Sequence, residues 1–529
     1  MKYDKNGVGY RKRRRKRRRL LLLLLLLFLM IFAGCSAVVL SMMLHGNLSF
    51  ENGFSFQEFS GQLTNYFAEQ DLSTQLKKNT NDLLNRDIFE IETETETQTE
   101  APTEPQTEAK PVAKSVAQDV LDAAALQAAM YDYDAAIDLL QKAEFYSEDA
   151  QAQALAADYQ KQKDSCVAID PENVTHIFYH SLVVDPARAF DPNKEGYDGW
   201  QQWMTTIYEF DQITQSMYDK GYVLVSLHDL IKKTENADGS VHIEKNQIYL
   251  PEGKKAFVLS IDDLSYYHTY EGRGVAEKIV LDEEGKPTCE YIRADGTVEY
   301  GDFDVVPRMD SFLEAHPDGC YRGARGTIAL TGYNGILGYR TDGTYDAAHN
   351  TNTDVYYADN LQIDWLNAHP DFNWEKECEQ AKEVVNAMKA EGWTFASHTW
   401  GHKAVGSASY EDLVRDTERW LEYVSPLLGG TDTIIFAHGE DITGTSGYSS
   451  DNAKYTYLKS KGFDIYCPVD SVDYTVNITE DYLHQGRRNL DGYRIYHDMI
   501  SDSPMAGDLF DAKSVIDPDR PLPVPDLGN

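Results

Sequence analysis

Two adjacent carboxylates, Asp262 and Asp263, end an apolar stretch in the middle of the chain. Five of the six residues 256–261 are apolar, a pattern typical of a strand buried on both faces of a parallel sheet. Strands of this kind carry catalytic groups at their C-terminal ends, where one carboxylate can ligate a metal ion while the other moves a proton. The alternative interpretation is structural, an Asx turn or a helix cap at the end of a strand.

Two histidines four positions apart, His398 and His402, follow a second predicted strand at residues 393–397. In a turn or helix, side chains at this spacing lie about 6 Å apart on one face, so the pair can chelate a metal ion. The chain holds a second pair with the same spacing, His176 and His180, inside an apolar run. If that run is a strand, four residues span about 13 Å, and those two imidazoles cannot share one ion.

Both groups of residues lie in motifs that resemble those of a known enzyme family. Ser260-Ile261-Asp262-Asp263 resembles the Thr-Phe-Asp-Asp-Gly motif of the polysaccharide deacetylase (NodB-homology) family of carbohydrate esterases. Ser397-His398-Thr399-Trp400-Gly401-His402 is similar to the Ser/Thr-His-x-x-x-His motif of that family. The run at residues 177–180 resembles the strand that opens many such domains, and the whole resemblance covers about residues 170–500.

The resemblance implies a role for each of these residues. Asp263, His398 and His402 would ligate a divalent metal ion, and Asp262 would be the catalytic base. Zinc is the expected metal for one aspartate and two imidazoles, and cobalt, nickel and iron fit the same ligands. The resemblance also implies an α/β fold, a distorted (β/α) barrel with about seven strands.

The later motifs of the chain depart from the family pattern. The family's third motif supplies Arg, Pro and Gly, whereas the stretch around His438 keeps only the glycine. The last motif normally ends in a histidine that acts as the general acid, and the stretch ending in His497 matches it only loosely. His438 and His497 are therefore both candidates for the acid. Leu264 replaces the glycine that normally follows the Asp pair, which alters the turn.

The N-terminal residues predict a membrane anchor. Residues 1–19 carry a formal charge of +10, which leaves −47 on the rest of a chain whose total is −37. Residues 20–44 have no charged side chain, and as a helix they span roughly 37 Å, enough to cross a bilayer. The positive-inside rule keeps the basic tail in the cytoplasm and places the remainder outside, so nucleic acid is not an expected partner. A lipid anchor at Cys35 is the alternative.

Composition divides the remaining chain. Residues 45–111 combine a juxtamembrane segment with Glu/Thr/Pro-rich repeats and predict an extended, disordered stalk. Residues 112–166 are Ala-rich with helical spacing and predict a small tetratricopeptide-like helical hairpin, with leucines such as Leu126, Leu139 and Leu140 in its core. Residues 167–529 alternate predicted strands and helices and form the expected catalytic domain. Two turn signals within residues 279–300 predict a β-hairpin insertion.

The sequence thus predicts a membrane-anchored, extracellular, metal-dependent deacetylase. It would remove N-acetyl, less often O-acetyl, groups from a cell-wall or other polysaccharide. One alternative is a catalytically degenerate barrel that still binds glycan. A second is a tethered scaffold that binds a protein partner through its helical segment. The five cysteines after residue 45 have no metal-like spacing and do not indicate a full disulfide framework.

Overall fold

The structure, a computed structural model, describes residues 116–237, 239–346, 360–443, 447–471 and 475–527. The predicted basic tail, transmembrane segment and stalk lie outside these residues. Within them, no helix is both long enough and apolar enough to span a bilayer.

The described residues alternate strands and helices over most of their length. The strands are β1 (Val167–Ile169), β2 (Thr175–Tyr179), β3 (Tyr222–Leu224), β4 (Ile231–Glu235), β5 (Val241–Lys245), β6 (Ile248–Leu250), β7 (Lys255–Asp262), β8 (Lys278–Leu281), β9 (Pro287–Ile292), β10 (Val298–Gly301), β11 (Thr327–Leu330), β12 (Thr394–Ser397), β13 (Thr433–Ile435), β14 (Ile465–Cys467), β15 (Val476–Ile478), β16 (Leu483–Gln485) and β17 (Arg488–Asn489). The α-helices are α1 (Val116–Ala129), α2 (Tyr133–Gln141), α3 (Ala150–Ser165), α4 (Pro186–Ala189), α5 (Tyr197–Trp203), α6 (Ile207–Asp219), α7 (Val305–Ala315), α8 (Asn360–Ala368), α9 (Trp374–Glu391), α10 (Tyr410–Tyr423), α11 (Ser425–Leu428), α12 (Ala453–Ser460), α13 (Gly492–Ile500) and α14 (Ala512–Val515).

Ten of the described strands form one curled sheet. Its order is β15-β16-β14-β13-β12-β11-β7-β2-β17, with β3 paired to the beginning of β7. The β15–β16 pair is antiparallel and the other pairs are parallel. Helices α6, α7, α9 and α10 pack on its outer face. This mixed α/β architecture fits the expected deacetylase-type barrel.

Strand alternation in β7 decides which side chains enter the barrel. Leu259 and Ile261 pack against the outer helices, whereas Ala256 and Val258 belong to a second core inside the sheet. Because side chains alternate faces along a strand, Asp262 falls on the enclosed face. All residues of β7 after Lys255 are buried, as the apolar run predicted.

The Ala-rich segment forms three helices, α1 to α3, that pack on one another and on the barrel. The hydroxyl of Tyr131 donates to the carbonyl oxygen of Asp318 across this contact, at 2.8 Å. Of the leucines predicted for its core, Leu140 is fully buried, but Leu126 and Leu139 are 48% and 39% exposed. Those two predictions are wrong, because the short side chains of Ala124, Ala128 and Ala136 fill the helix contacts instead.

The predicted hairpin insertion is confirmed and has one strand more than expected. β8, β9 and β10 form a separate antiparallel sheet, with β9 in the centre. Its turns contain Gly285 and Gly296, both in the left-handed region that favours glycine.

Candidate metal centre

A cavity of about 730 Å³ opens at the C-terminal ends of the barrel strands. Its volume lies within the range of about 300–1,000 Å³ that is usual for small-molecule sites. Residues that follow β2, β7, β12, β13 and β17 line it, and α5 and α13 form one wall. The lining includes His180, Asp262, Asp263, His398, His402, His438, Asn489 and Asp491, with Trp200, Trp203, Tyr270 and Tyr493 on the aromatic side.

Asp263, His398 and His402 converge in this cavity. One ligand atom from each lies within 4.8 Å of the others, and Nε2 of His402 is 3.4 Å from Oδ2 of Asp263. A carboxylate oxygen and two imidazole nitrogens are a common donor set for zinc and related divalent ions. The three residues that the sequence predicted as ligands are therefore brought together.

Neighbouring groups hold two of these side chains in orientations that suit a metal ion. Nδ1 of His398 donates to the carbonyl oxygen of Ile435 at 2.8 Å, which leaves the lone pair of Nε2 available. The hydroxyl of Tyr267 donates to Oδ1 of Asp263 at 2.6 Å, which leaves Oδ2 on the side of His402. Hydrogen bonds that orient the ligating side chains in this way are typical of metal sites, so the residues fit the expected ion.

The protonation of the group also suits metal binding. Burial lowers the pKa of His398, which favours the neutral imidazole that a metal requires. Burial alone would raise the pKa of Asp263, but His402 and His398 outweigh it and hold the pKa below its usual value. The carboxylate therefore remains ionised.

The turn after β7 bends the backbone so that both carboxylates reach the cavity. Asp263 has a φ of 58°, in the left-handed region that non-glycine residues seldom adopt. Without this bend the side chains of Asp262 and Asp263 would point to opposite faces of the sheet. Thr399, His402 and His438 share the conformation, with φ values of 64°, 50° and 57°. Each such residue costs about 1–3 kcal/mol, and such residues cluster at functional sites.

Asp262 has a different partner, Arg487, which lies just before β17. Nη1 and Nη2 of Arg487 donate to Oδ1 and Oδ2 of Asp262 at 2.7 and 3.0 Å, and the guanidinium lies 4.2 Å above the ring of Phe178. Burial would raise the pKa of Asp262, but the Arg487 charge outweighs it, and the pKa is about 2. Asp262 is thus a buried carboxylate beside the metal group, with Nε2 of His398 at 3.9 Å from Oδ2.

Sequence reasoning missed Arg487. The sequence gives little signal for it: Arg487 lies in the short link between β16 and β17, and only its burial in the structure shows that it requires a carboxylate partner. Nothing local indicates that the partner is 225 residues away.

The structure places the two acid candidates very differently. His438 lines the cavity, but its Nε2 donates to the carbonyl oxygen of His402 at 3.2 Å, and its ring packs 4.3 Å from that of His402. His497 lies on α13 with its ring 4.1 Å from Tyr493 and its Nε2 3.4 Å from Asp526. It is not among the residues that line the cavity. The structure therefore does not bring His497 to the site, because it lies one helical turn beyond Tyr493, a residue of α13 that lines the cavity.

The second histidine pair is separated as its strand spacing predicts. His176 is 1% exposed, and its Nε2 bonds to Oγ of Ser260 at 2.9 Å inside the barrel. His180, beyond the end of β2, lines the cavity. No group of described residues combines these two histidines as metal ligands.

Comparison with known proteins supports the resemblance for part of the chain. The polysaccharide deacetylase family matches residues 362–458, a segment that contains His398, His402 and His438. Among solved structures, the Streptococcus pyogenes deacetylase PplD in complex with acetate aligns with 62% of this chain and 94% of its own, at 14% identity and a TM-score of 0.28. No curated protein sequence matches the chain.

The family match confirms the predicted relation to polysaccharide deacetylases. It also confirms the predicted enzyme class, a hydrolase that acts on carbon–nitrogen bonds other than peptide bonds.

Proposed function

We propose that the chain is a membrane-anchored, extracellular, metal-dependent deacetylase that removes N-acetyl, less often O-acetyl, groups from a cell-wall or other polysaccharide. The observation that carries this proposal is the convergence of Asp263, His398 and His402 beside the separate, ionised carboxylate of Asp262. A set of metal ligands and a separate carboxylate that can act as base, in one cavity, are what metal-assisted hydrolysis requires.

Asp263, His398 and His402 would hold a divalent ion, with zinc the expected metal. Bound there, the ion would acidify a water molecule and polarise the acyl oxygen of the substrate. Asp262 takes the proton of the attacking water. Arg487 donates to both oxygens of Asp262, but each oxygen has a further lone pair that can accept the proton.

The aromatic wall of the cavity suits a sugar. Trp200 and Tyr270 pack edge to face at 5.1 Å, and Trp203 on the same helix is 41% exposed. Flat apolar rings with polar edges stack on the apolar faces of pyranose rings. The acetyl group would then lie between the histidines and the carboxylates, and the sugar against α5 and α13.

Location rests on the N-terminal sequence. Residues 20–44 are long and apolar enough to anchor the chain, and the basic residues before them favour a cytoplasmic N-terminus. The catalytic domain would then act on glycans outside the cell, at the end of the stalk.

Metal content and acetate release test this proposal on the full chain. We expect about one divalent ion per chain, and release of acetate from acetylated chitooligosaccharide or peptidoglycan that a chelator abolishes. His398→Ala and His402→Ala should each remove most of the ion, and full occupancy in the double variant would contradict the site assignment. A chain that binds glycan and metal but releases no acetate would favour the degenerate barrel, and binding of a protein partner without either would favour the scaffold.

A further inference from the structure

The three residues between the two histidine ligands, Thr399, Trp400 and Gly401, form a loop outside the strands and helices. The backbone is left-handed at Thr399 and again at His402, with φ values of 64° and 50°. A non-glycine residue in this region is strained and persists only where its surroundings fix it. The rings of His398 and His402 lie 5.1 Å apart at the two ends of the loop. Contacts that fix the loop therefore also fix the spacing of the two ligands.

A buried carboxylate on α10, that of Asp416, holds this loop. Its Oδ1 accepts from the backbone N–H of Trp400 at 2.7 Å, and its Oδ2 accepts from that of Gly401 at 2.9 Å. Asp416 is 5% exposed, and these are the two hydrogen bonds that the described residues make to its side chain. Hydrogen bonds from backbone N–H groups to a carboxylate are roughly twice as strong as those between neutral groups. Both oxygens of Asp416 thus act on the loop that joins the ligands.

Neighbouring residues of α10 contact the same segment. Side chains three and four positions apart share a face of a helix, and the guanidinium of Arg419 lies 3.5 Å from the ring of Trp400. The indole of Trp420 donates to the carbonyl oxygen of Leu330 at 2.8 Å, and that oxygen also accepts from the backbone N–H of His398 at 2.9 Å. Helix α10 therefore supports the ligand segment both at its first histidine and in the middle of its loop.

The loop and the helix approach each other closely at Gly401. A Cβ added there would lie 3.1 Å from Oδ2 of Asp416, which is tighter than an ordinary van der Waals contact. An asparagine in place of Asp416 would offer one oxygen acceptor instead of two, so its NH2 group would face one of the two backbone N–H groups. The contact thus requires a small residue on the loop and a carboxylate on the helix.

We propose that Asp416 is a positioning residue that fixes the spacing of His398 and His402 and thereby sets the metal affinity of the site. This inference rests on the proposed function, in which these two histidines are ligands. A loop that is held in its binding conformation before the ion arrives loses little conformational freedom when the ion binds. Without Asp416 the ion itself has to order the loop, and the affinity falls by that free-energy cost.

The dissociation constant for Zn²⁺, measured on the full chain by competition with a chelator, tests the proposal. We expect Asp416→Asn to raise this constant by about 10- to 100-fold, the usual effect of removing a group that orients metal ligands. The visible absorption of Co²⁺ bound in place of Zn²⁺ reports the arrangement of the ligands and should change as well. A loss of stability elsewhere in the fold would not alter that spectrum.

Asp412→Asn is the matched control for both measurements. Asp412 lies one turn earlier on α10, where its side chain is exposed and bonds to Ser409 and Arg415. The control variant should keep the wild-type constant for Zn²⁺ and the wild-type Co²⁺ spectrum.

Gly401→Ala alters the same contact from the loop and protects the test against a folding defect in the Asp416 variant. Its added Cβ presses on Oδ2 of Asp416, so this variant should also raise the constant for Zn²⁺. Because the two substitutions act on one contact, the double variant should bind Zn²⁺ about as weakly as Asp416→Asn alone.

Three results would each overturn the proposal. They are an unchanged constant in Asp416→Asn (or in Gly401→Ala, if the Asp416 variant does not fold), an equal rise in Asp412→Asn, and additive losses in the double variant. Failure of the proposed function gives a different result. A wild-type chain that binds Zn²⁺ but releases no acetate would contradict the deacetylase function alone, and the Zn²⁺ constants of the variants would still decide the role of Asp416. A wild-type chain that binds no Zn²⁺ would contradict the metal centre and this inference with it.

Discussion

At the scale of single residues, the two adjacent carboxylates are distinguished by their partners. Asp263 accepts from Tyr267 and lies beside His402, whereas Asp262 is held by both terminal nitrogens of Arg487. The family resemblance implies that Asp263 is the ligand, but the residue types and spacing of the pair do not by themselves distinguish the two carboxylates. The positive φ of Asp263 and the distant arginine separate their roles.

We expect Asp263→Asn to lose both metal and activity, because it removes a charged ligand. Asp262→Asn should keep the metal while acetate release falls by about 10²- to 10⁴-fold, the usual contribution of a general base. Metal analysis and acetate release on the two variants decide the matter. A fully active Asp262→Asn variant, or an Asp263→Asn variant that retains its ion, would reverse this division of roles.

Arg487→Gln should change the pH dependence of the reaction. The wild-type guanidinium holds the pKa of Asp262 at about 2, and without it burial raises that pKa. The base is then protonated up to a higher pH, so the acid limb of the kcat/KM profile should move to higher pH with the metal content unchanged.

Arg488→Gln is the matched control for this shift. Arg488 is the next residue and is equally buried, but it pairs with Asp508 rather than with Asp262. Each variant leaves a carboxylate without its arginine, so both should have a lower free energy of unfolding. For Arg487→Gln, which leaves the buried Asp262 unpaired, we expect a decrease of about 3–5 kcal/mol. An acid limb that moves equally in both variants would show that the shift does not come from Asp262.

His176→Ala should leave the metal content unchanged. His176 is enclosed in the barrel and bonds to Ser260, so it lies below the metal group rather than in it. His398→Ala, measured beside it by elemental analysis, is the positive control. Loss of the ion from the His176 variant would contradict the separation of the two histidine pairs.

At the scale of elements, the sequence predicts the strands of the site better than the turns between them. The apolar run of β7 and the strand before His398 are where periodicity places them, because burial on both faces leaves a clear signal. The left-handed turns at Asp263, Thr399, His402 and His438 carry no such signal, since none of these residues is a glycine. The helical segment shows a related limit, because Leu126 and Leu139 are exposed where alanines make the contacts.

Asp304 links the loop after β2 to the start of α7 and should make stability depend on pH. Its carboxylate accepts from the backbone N–H groups of Leu182 and Val305 and from the hydroxyl of Tyr266, at 3.0, 2.7 and 2.7 Å. Burial raises its pKa from 3.8 to about 6. The folded state thus binds a proton more tightly than the unfolded state, and stability falls as the pH rises from about 4 to above 6.

The difference of about two pKa units between the folded and unfolded states corresponds to a decrease on the order of 3 kcal/mol in the free energy of unfolding as the pH rises through this range. We expect Asp304→Asn, which keeps an oxygen acceptor for the backbone, to remove this part of the pH dependence. Denaturant unfolding of both chains at pH 4 and pH 7 measures it. If the free energy of unfolding changes equally between pH 4 and pH 7 in both chains, the pH dependence of stability comes from groups other than Asp304.

At the scale of the whole molecule, charge and hydropathy divide the chain into a basic tail, an uncharged apolar segment and an acidic remainder. The +10 on residues 1–19, the uncharged residues 20–44 and the −47 that follows predict a chain held at a membrane by its beginning. We expect removal of residues 1–44 to move the protein from the membrane fraction to the soluble one with its metal content intact. Detergent extraction of the full chain is the control, and a truncated chain that still sediments with membranes would point to a further attachment.

The ion pair between Asp262 and Arg487 also has a consequence for how the enzyme is made. The three proposed ligands are complete once residue 402 has been synthesised, but Arg487, which holds Asp262 ionised, comes 85 residues later and directly precedes β17. Chains are synthesised from the N-terminus at about 5–20 residues per second. Asp263, His398 and His402 are therefore present for several seconds before the ion pair between Asp262 and Arg487 can form. Chains cut short before β17 could take up metal yet remain without catalysis. Hydrolysis would thus begin only after almost the entire polypeptide has been synthesised and folded.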